Sequence, residues 1–210
     1  ARRRGPPGRR NRKGAGMTVT ETETETDGRR AIAQRNREAI LAGALEVISR
    51  DPDAAMNAIA DGAGLGRATL YRHFPTREEL LIALRQRARE QSRAAMIAAR
   101  PEEGDPIAAL ERIVTALLSV VTRNRVIFNM PRGGTPSRTE QQKFFAPLTQ
   151  TFERAQQAGI IAPDLPSEWL TDVVRMLLRA AAHEIEAGAI RREDAPELVV
   201  RQLVDGARKR

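Results

Sequence analysis

The chain has no cysteine, which excludes a disulfide framework, a thiolate nucleophile and any cysteine-ligated metal centre. Its two histidines are His73 and His183, so a zinc site would need both of them plus carboxylates from distant segments. No apolar run approaches the ~18 to 20 residues that span a bilayer. The N-terminal arginines are not followed by the hydrophobic stretch of a secretory signal, which makes the cytoplasm the expected compartment. Also missing are a nucleophile elbow and a phosphate-binding lysine loop, and Glu184 and Glu186, two apart on a helix, cannot face one another. The expectation is a protein that is not an enzyme and uses no cofactor and no metal. Aromatic residues make up 3% of the chain against 41% hydrophobic, so the core has to come from Ala, Leu, Ile and Val. No alternating, strand-like run exceeds a few residues, and the Ala, Leu, Arg and Glu-rich composition favours helix. The expected fold class is all-α.

The formal net charge of +8 points toward nucleic acid, but its distribution weakens that inference. Residues 1–16 carry seven basic groups and no acid, whereas residues 17–28 carry four acids and no base. Residues 29–91 and 92–210 contribute only +3 and +2. The basic run is either an arm that grips DNA phosphates, a solvated tail, or the product of an upstream start with Met17 as the initiator. Residues 1–28, Arg, Gly and Pro-rich and then a Thr-Glu repeat, lack apolar residues at a useful period and are expected to be disordered.

A sharper signal lies at residues 58–80. Ile59, Ala63 and Leu65, then Leu70 and Phe74, describe two short helical faces broken by a glycine turn at Gly64, the pattern of a helix-turn-helix. Among the core positions of the second helix stand Arg67, Thr69, Tyr71, Arg72 and His73, donors suited to phosphates and base edges. So short and polar a helix makes poor core but a good surface to lay in a major groove. Gly66 is its N-cap, whose bare N–H groups can approach a phosphate. The Gly62-x-Gly64-x-Gly66 run follows no strand, so turn geometry accounts for it better than a nucleotide loop does. Thr76 with Glu79 three residues on reads as a capping box for the next helix. Arg77 in that first turn opposes the helix dipole, and a DNA phosphate would supply the missing anion.

Ile59, Ala60, Ala63, Gly64, Thr69, Leu70, Tyr71, His73, Phe74 and Leu80, at these spacings, resemble the DNA-binding domain of the tetracycline-repressor (TetR) family of bacterial transcription regulators. The close resemblance covers roughly residues 35–85. Two departures concern capping: Ala54 and Ala55 stand where the family has a Ser or Thr that often touches phosphate, and Gly66 replaces a usual Ser. The resemblance implies a homodimeric, ligand-responsive repressor with its dimer interface on the eighth and ninth helices.

The rest of the chain reads as helix. The first runs over 29–50 on Ile32, Ala39, Ile40, Ala44, Val47 and Ile48, and the next starts near Ala54 with Asp53 as N-cap. Further helices are expected over 76–99, 107–123, 124–130, 137–158, from a Ser167 cap to Gly188, and from 195 or 196 to 207. This layout divides the chain into a tail (1–28), a helix-turn-helix DNA-binding domain (29–80) and a helical effector-binding and dimerisation domain (81–210). The expected function is sequence-specific regulation from a palindromic duplex DNA operator, released by a small, apolar effector. A different class remains open, a constitutive dimeric DNA-binding or architectural protein without an effector. The expected DNA contacts are Gly66, Arg67, Thr69, Tyr71, Arg72, His73 and Arg77. Phe128, Met130, Phe144, Phe145, Phe152, Trp169 and Met176 are candidates for the effector pocket, with ordinary core filling as the alternative for each.

Overall fold

The computed structural model describes residues 19–130 and 137–208, with the backbone alone for 19–27, 29 and 30. Among these residues it is all helix: α1 (Val19–Arg50), α2 (Met56–Gly62), α3 (Arg67–His73), α4 (Arg77–Ala98), α5 (Pro106–Arg123), α6 (Arg125–Asn129), α7 (Arg138–Gln157), α8 (Ser167–Glu186) and α9 (Ala195–Ala207). The basic run at 1–16 and the loop expected at 131–136 lie outside the described residues. The chain divides into two compact units after Ile40, within α1.

In the first unit, helix begins ten residues earlier than the apolar stripe indicates, at Val19 rather than Arg29. The Thr-Glu repeat expected to be disordered is therefore helical from Val19 onward, because glutamate is a good helix former and needs no buried face to continue an existing helix. Ile32, counted in the stripe, is exposed.

In the second unit, α1 from Leu41, α2, α3 and the start of α4 bury Leu41, Ala44, Leu45, Ile48, Met56, Ile59, Ala60, Leu70, Phe74, Leu80 and Leu84. Two glycines set how closely α1 and α2 approach. A Cβ on Gly43 would stand 2.9 Å from the Ala63 Cβ, and one on Gly62 would stand 2.9 Å from Val47 Cγ2. Gly64 then turns the chain at φ +66°, a conformation that costs an L side chain about 1 kcal/mol. The three glycines of the 62–66 run thus have separate roles: close approach, turn and N-cap. The second helix starts at Met56 rather than Ala54, with Ala55 at the cap. Asp53, the expected cap, instead donates its backbone N–H to Asp51 Oδ1 in a local turn.

α4 runs unbroken across residue 80, from Thr76, whose side chain accepts from the Glu79 N–H, to Ala98. The remaining helices form a second core with Met96 and Ala99: Leu110, Ile113, Val114 and Leu117 of α5, Leu148 and Phe152 of α7, Leu170, Val174 and Leu178 of α8, and Val199, Val200 and Leu203 of α9. Asp105 caps α5 by accepting from Ile107 and Ala108, and Ser137 with Glu140 forms a reciprocal capping box on α7. Ser167 does not cap α8: Pro166 holds that position, and the Ser167 hydroxyl donates to Gln156 Oε1 at 3.0 Å. The α4–α5 turn is gripped by two arginines. Arg112 donates to the Ala99, Arg100 and Glu103 carbonyls, and Arg154 to Pro101 and Gly104. No described helix is long and apolar enough to cross a membrane.

Candidate nucleic-acid interface

α3 is short because its flanks stop it. Gly66 precedes it in extended conformation, with no side-chain cap, and Phe74 leaves helical geometry at its end while its N–H still bonds the Leu70 carbonyl. Leu70 and Phe74 are buried, and α3 packs against α2. The other side chains are left outward. Arg67, Tyr71 and Arg72 are exposed, and Thr69 and His73 are partly so.

Arg67 and Tyr71 stand one turn apart on α3, and each meets a residue of α2. The Arg67 guanidinium donates through Nε to Asp61 Oδ1 at 3.2 Å and through Nη2 to Asp61 Oδ2 at 2.7 Å. The Tyr71 hydroxyl donates to Asn57 Oδ1 at 3.4 Å. Asn57 and Asp61 are themselves one helical turn apart, so the two helices are joined by two polar rungs. The hydrogen bond from Arg67 holds the Asp61 carboxyl below its ordinary range, and Asp61 in turn raises the Arg67 pKa. Arrangement of donors around a buried anchor, rather than net charge, makes this face suited to a DNA duplex.

Arg77, expected as a phosphate contact, makes contacts within the protein. Its Nε donates to the Ala54 carbonyl at 3.2 Å and its Nη2 to the Pro52 carbonyl, so the guanidinium ties the start of α4 to the α1–α2 turn. The partner that this cation lacks at a helix N-terminus is supplied by peptide carbonyls of the protein. Asn57 and Asp61 were not among the expected site residues. Their signal is the four-residue spacing, which places two polar side chains on one face of α2.

The candidate effector residues differ in burial and in surroundings. Phe152 is fully buried in the second core, whereas Trp169 and Met176 are 60% and 69% exposed on α8. They are one residue before Leu170 and two after Val174, so they point away from the core stripe. Phe128 and Met130 are half-buried at α6 and its end. Phe144 and Phe145 of α7 form an edge-to-face pair with centroids 4.6 Å apart. Arg89 of α4 lies over the Phe144 ring and Arg175 of α8 over the Phe145 ring, each at 4.7 Å. Beside Phe145 an open groove of about 580 Å³ runs between α7 and α8, with Thr149, Thr171, Asp172 and Arg175 among its lining.

Residues 40–84, the segment that contains both rungs, match the family model described as "Bacterial regulatory proteins, tetR family". That segment is a TetR-family DNA-binding region, and the chain as a whole is similar to TetR-family regulators. Its TetR-family relatives include the transcriptional repressor LfrR of Mycolicibacterium smegmatis, 29% identical over 174 residues that cover 82% of this chain and 90% of that one. The crystal structure of LfrR in complex with proflavine is similar to this chain with a TM-score of 0.65, at 27% identity, covering 85% of this chain and 99% of that one. A TetR family regulator from Marinobacter aquaeolei VT8 shares the fold, with a TM-score of 0.69 at 21% identity over 86% of this chain and 100% of that one. TetR-family members are DNA-binding transcription regulators, and the helix-turn-helix followed by a larger helical region fits that description.

Proposed function

We propose that the chain is a homodimeric, effector-responsive repressor that reads a palindromic operator through α3, with residues 29–80 as the DNA-binding part and 81–210 as the effector and dimerisation part. The observation that carries this reading is the outward row of Arg67, Tyr71 and Arg72 on a seven-residue helix held by only Leu70 and Phe74. Arg67 and Tyr71 are the base-reading candidates, with Gly66, Thr69, Arg72 and His73 close enough along α3 to meet the flanking phosphates. Arg77 acts at one remove, by holding the turn before α2.

The effector reading rests on the contact between Phe144 and Arg89. A planar, largely apolar molecule that stacks on Phe144 competes with the Arg89 guanidinium for the same ring face, and Arg89 belongs to α4, which leads directly into the helix-turn-helix. Release needs a coupling of only about 1 to 3 kcal/mol, within reach of losing one cation–π contact and shifting α4. The relative LfrR has been captured with proflavine, which makes proflavine the first probe. Operator-bound protein labelled for fluorescence anisotropy should release DNA as proflavine is added, and Phe144→Ala should blunt the release while leaving operator affinity intact. Proflavine that binds the wild-type chain without changing operator affinity would favour the constitutive reading, which the burial of Phe152 in the core also supports.

A further inference from the structure

The Asp61–Arg67 pair is placed against the interest of both helices. Asp61 is the penultimate residue of α2, where the helix dipole disfavours an anion, and Arg67 is the first residue of α3, where it disfavours a cation. Each charge would stabilise its own helix better at the opposite end. Both side chains are more than half exposed, at 59% and 58%, so the pair contributes little to folding. What it does determine is the orientation of one guanidinium.

The geometry of that contact is specific. A guanidinium has five N–H donors in a plane, and Asp61 occupies the side edge formed by Nε and Nη2. The end of the fork, the parallel N–H bonds of Nη1 and Nη2, is turned away from Asp61. That end is the part of arginine that matches the O6 and N7 acceptors of guanine in the major groove. One turn further along α3, the Tyr71 hydroxyl is held by Asn57 in the same way.

We propose that Asp61 is a specificity-determining positioning residue: held side-on by Asp61, Arg67 presents its end-on fork to a guanine, and without Asp61 the same guanidinium swings to the nearest phosphate. The inference rests on the operator-reading function proposed above. It also gives the carboxylate a second effect, because an anion at the interface repels the phosphates of any duplex that offers Arg67 no compensating base.

Those two effects have opposite signs, which distinguishes positioning from a merely structural role. The full-length chain, Asp61→Ala, Asp61→Asn, Arg67→Ala and the double variant would each be titrated against the selected operator. Parallel titrations would use an operator changed at the position that Arg67→Ala relaxes, and an unrelated duplex, over a range of salt. For Asp61→Ala, discrimination at that position should fall by about five-fold to a hundred-fold, the value of a good bidentate contact. Affinity for unrelated duplex should hold or rise, and its salt dependence should steepen by about one ion per protomer as Arg67 takes up a phosphate. Asp61→Asn, which keeps one acceptor, should fall between. In the Arg67→Ala background, Asp61→Ala should leave discrimination unchanged. Thermal unfolding of each variant verifies that the fold survives.

Equal discrimination by wild type and Asp61→Ala would overturn the positioning role while leaving the operator-reading function in place. A parallel loss of affinity for all duplexes would overturn it too, since that is the behaviour of a damaged fold. A wild-type chain that selects no sequence at all would instead remove the operator-reading function beneath it.

Discussion

The Nε–H of Arg77 donates to the carbonyl of Ala54 at 3.2 Å, joining residues 23 apart in the chain across the base of the helix-turn-helix. Its Nη2 reaches the Pro52 carbonyl from the same fork. Lysine cannot reproduce this, because it has no planar pair of donors. Arg77→Ala and Arg77→Lys should each destabilise the chain by about 1 to 2 kcal/mol, near the lower end for hydrogen bonds from a charged donor because the site is partly solvated. Chemical denaturation measures this directly. A variant with unchanged stability and uniformly weaker DNA binding would return Arg77 to the phosphate-contact role.

Gly43 is one of the two glycines where close approach governs. Alanine there gains about 1 kcal/mol of helix propensity, but its Cβ would meet the Ala63 Cβ at 2.9 Å. Overpacking of this kind costs about 1 to 3 kcal/mol, so Gly43→Ala should lower the melting temperature despite the better helix former. Gly206, with open space around its would-be Cβ, should gain stability from the same change in calorimetry.

The carboxyls of Glu140 and Asp61 both titrate below their free values of 4.5 and 3.8, Glu140 because it accepts from the Ser137 hydroxyl and backbone N–H, and Asp61 because it accepts from Arg67. A depressed folded-state pKa stabilises the fold above the unfolded pKa, and that contribution is lost as pH falls through the folded one. Both contacts should therefore be intact at neutral pH and disappear only below about pH 4. Carbon-detected NMR titration should show the Glu140 carboxyl returning toward its free value in Ser137→Ala, and Asp61 doing the same in Arg67→Ala. No movement in either variant would contradict these contacts.

Trp169 and Met176 are seven residues apart on α8, two turns along the same face, and both are largely exposed. Apolar side chains of this size at that spacing suit a partner helix from a second copy. Met176→Glu and Trp169→Glu should shift the chain toward monomer in sedimentation velocity at micromolar concentration and weaken operator binding together with it. Sedimentation of the wild type as a monomer with full operator affinity would rule this interface out.

The α2–turn–α3 segment was legible because short-range rules govern it: a 3.6-residue period, one glycine at positive φ and two buried anchors. The caps at Asp105 and Ser137 belong to the same class, although only the helix starts near them were anticipated. What could not be read were partners set by tertiary placement. Nothing local to Arg77 indicates the Pro52 and Ala54 carbonyls, and Asp61 reaches Arg67 only once the turn has been closed. The exposure of the effector candidates was hidden for another reason. Counting bulky side chains in residues 128–176 ignores the face each occupies, and Trp169 is about 100° around α8 from Leu170. The helical start at Val19 escaped because a helix can continue without an apolar stripe to announce it.

The central claim, that α3 reads sequence with Arg67 as its principal determinant, is tested most directly by selecting bound duplexes from a random pool with the full-length wild-type chain and with Arg67→Ala. The account predicts a two-fold symmetric motif for the wild type, with half-sites about one helical turn apart or at a related spacing. For Arg67→Ala it predicts the same motif with one position in each half made degenerate, a loss of about 1 to 3 kcal/mol of discrimination there. A pool with no enriched motif, or a motif that Arg67→Ala leaves unchanged at every position, would contradict it.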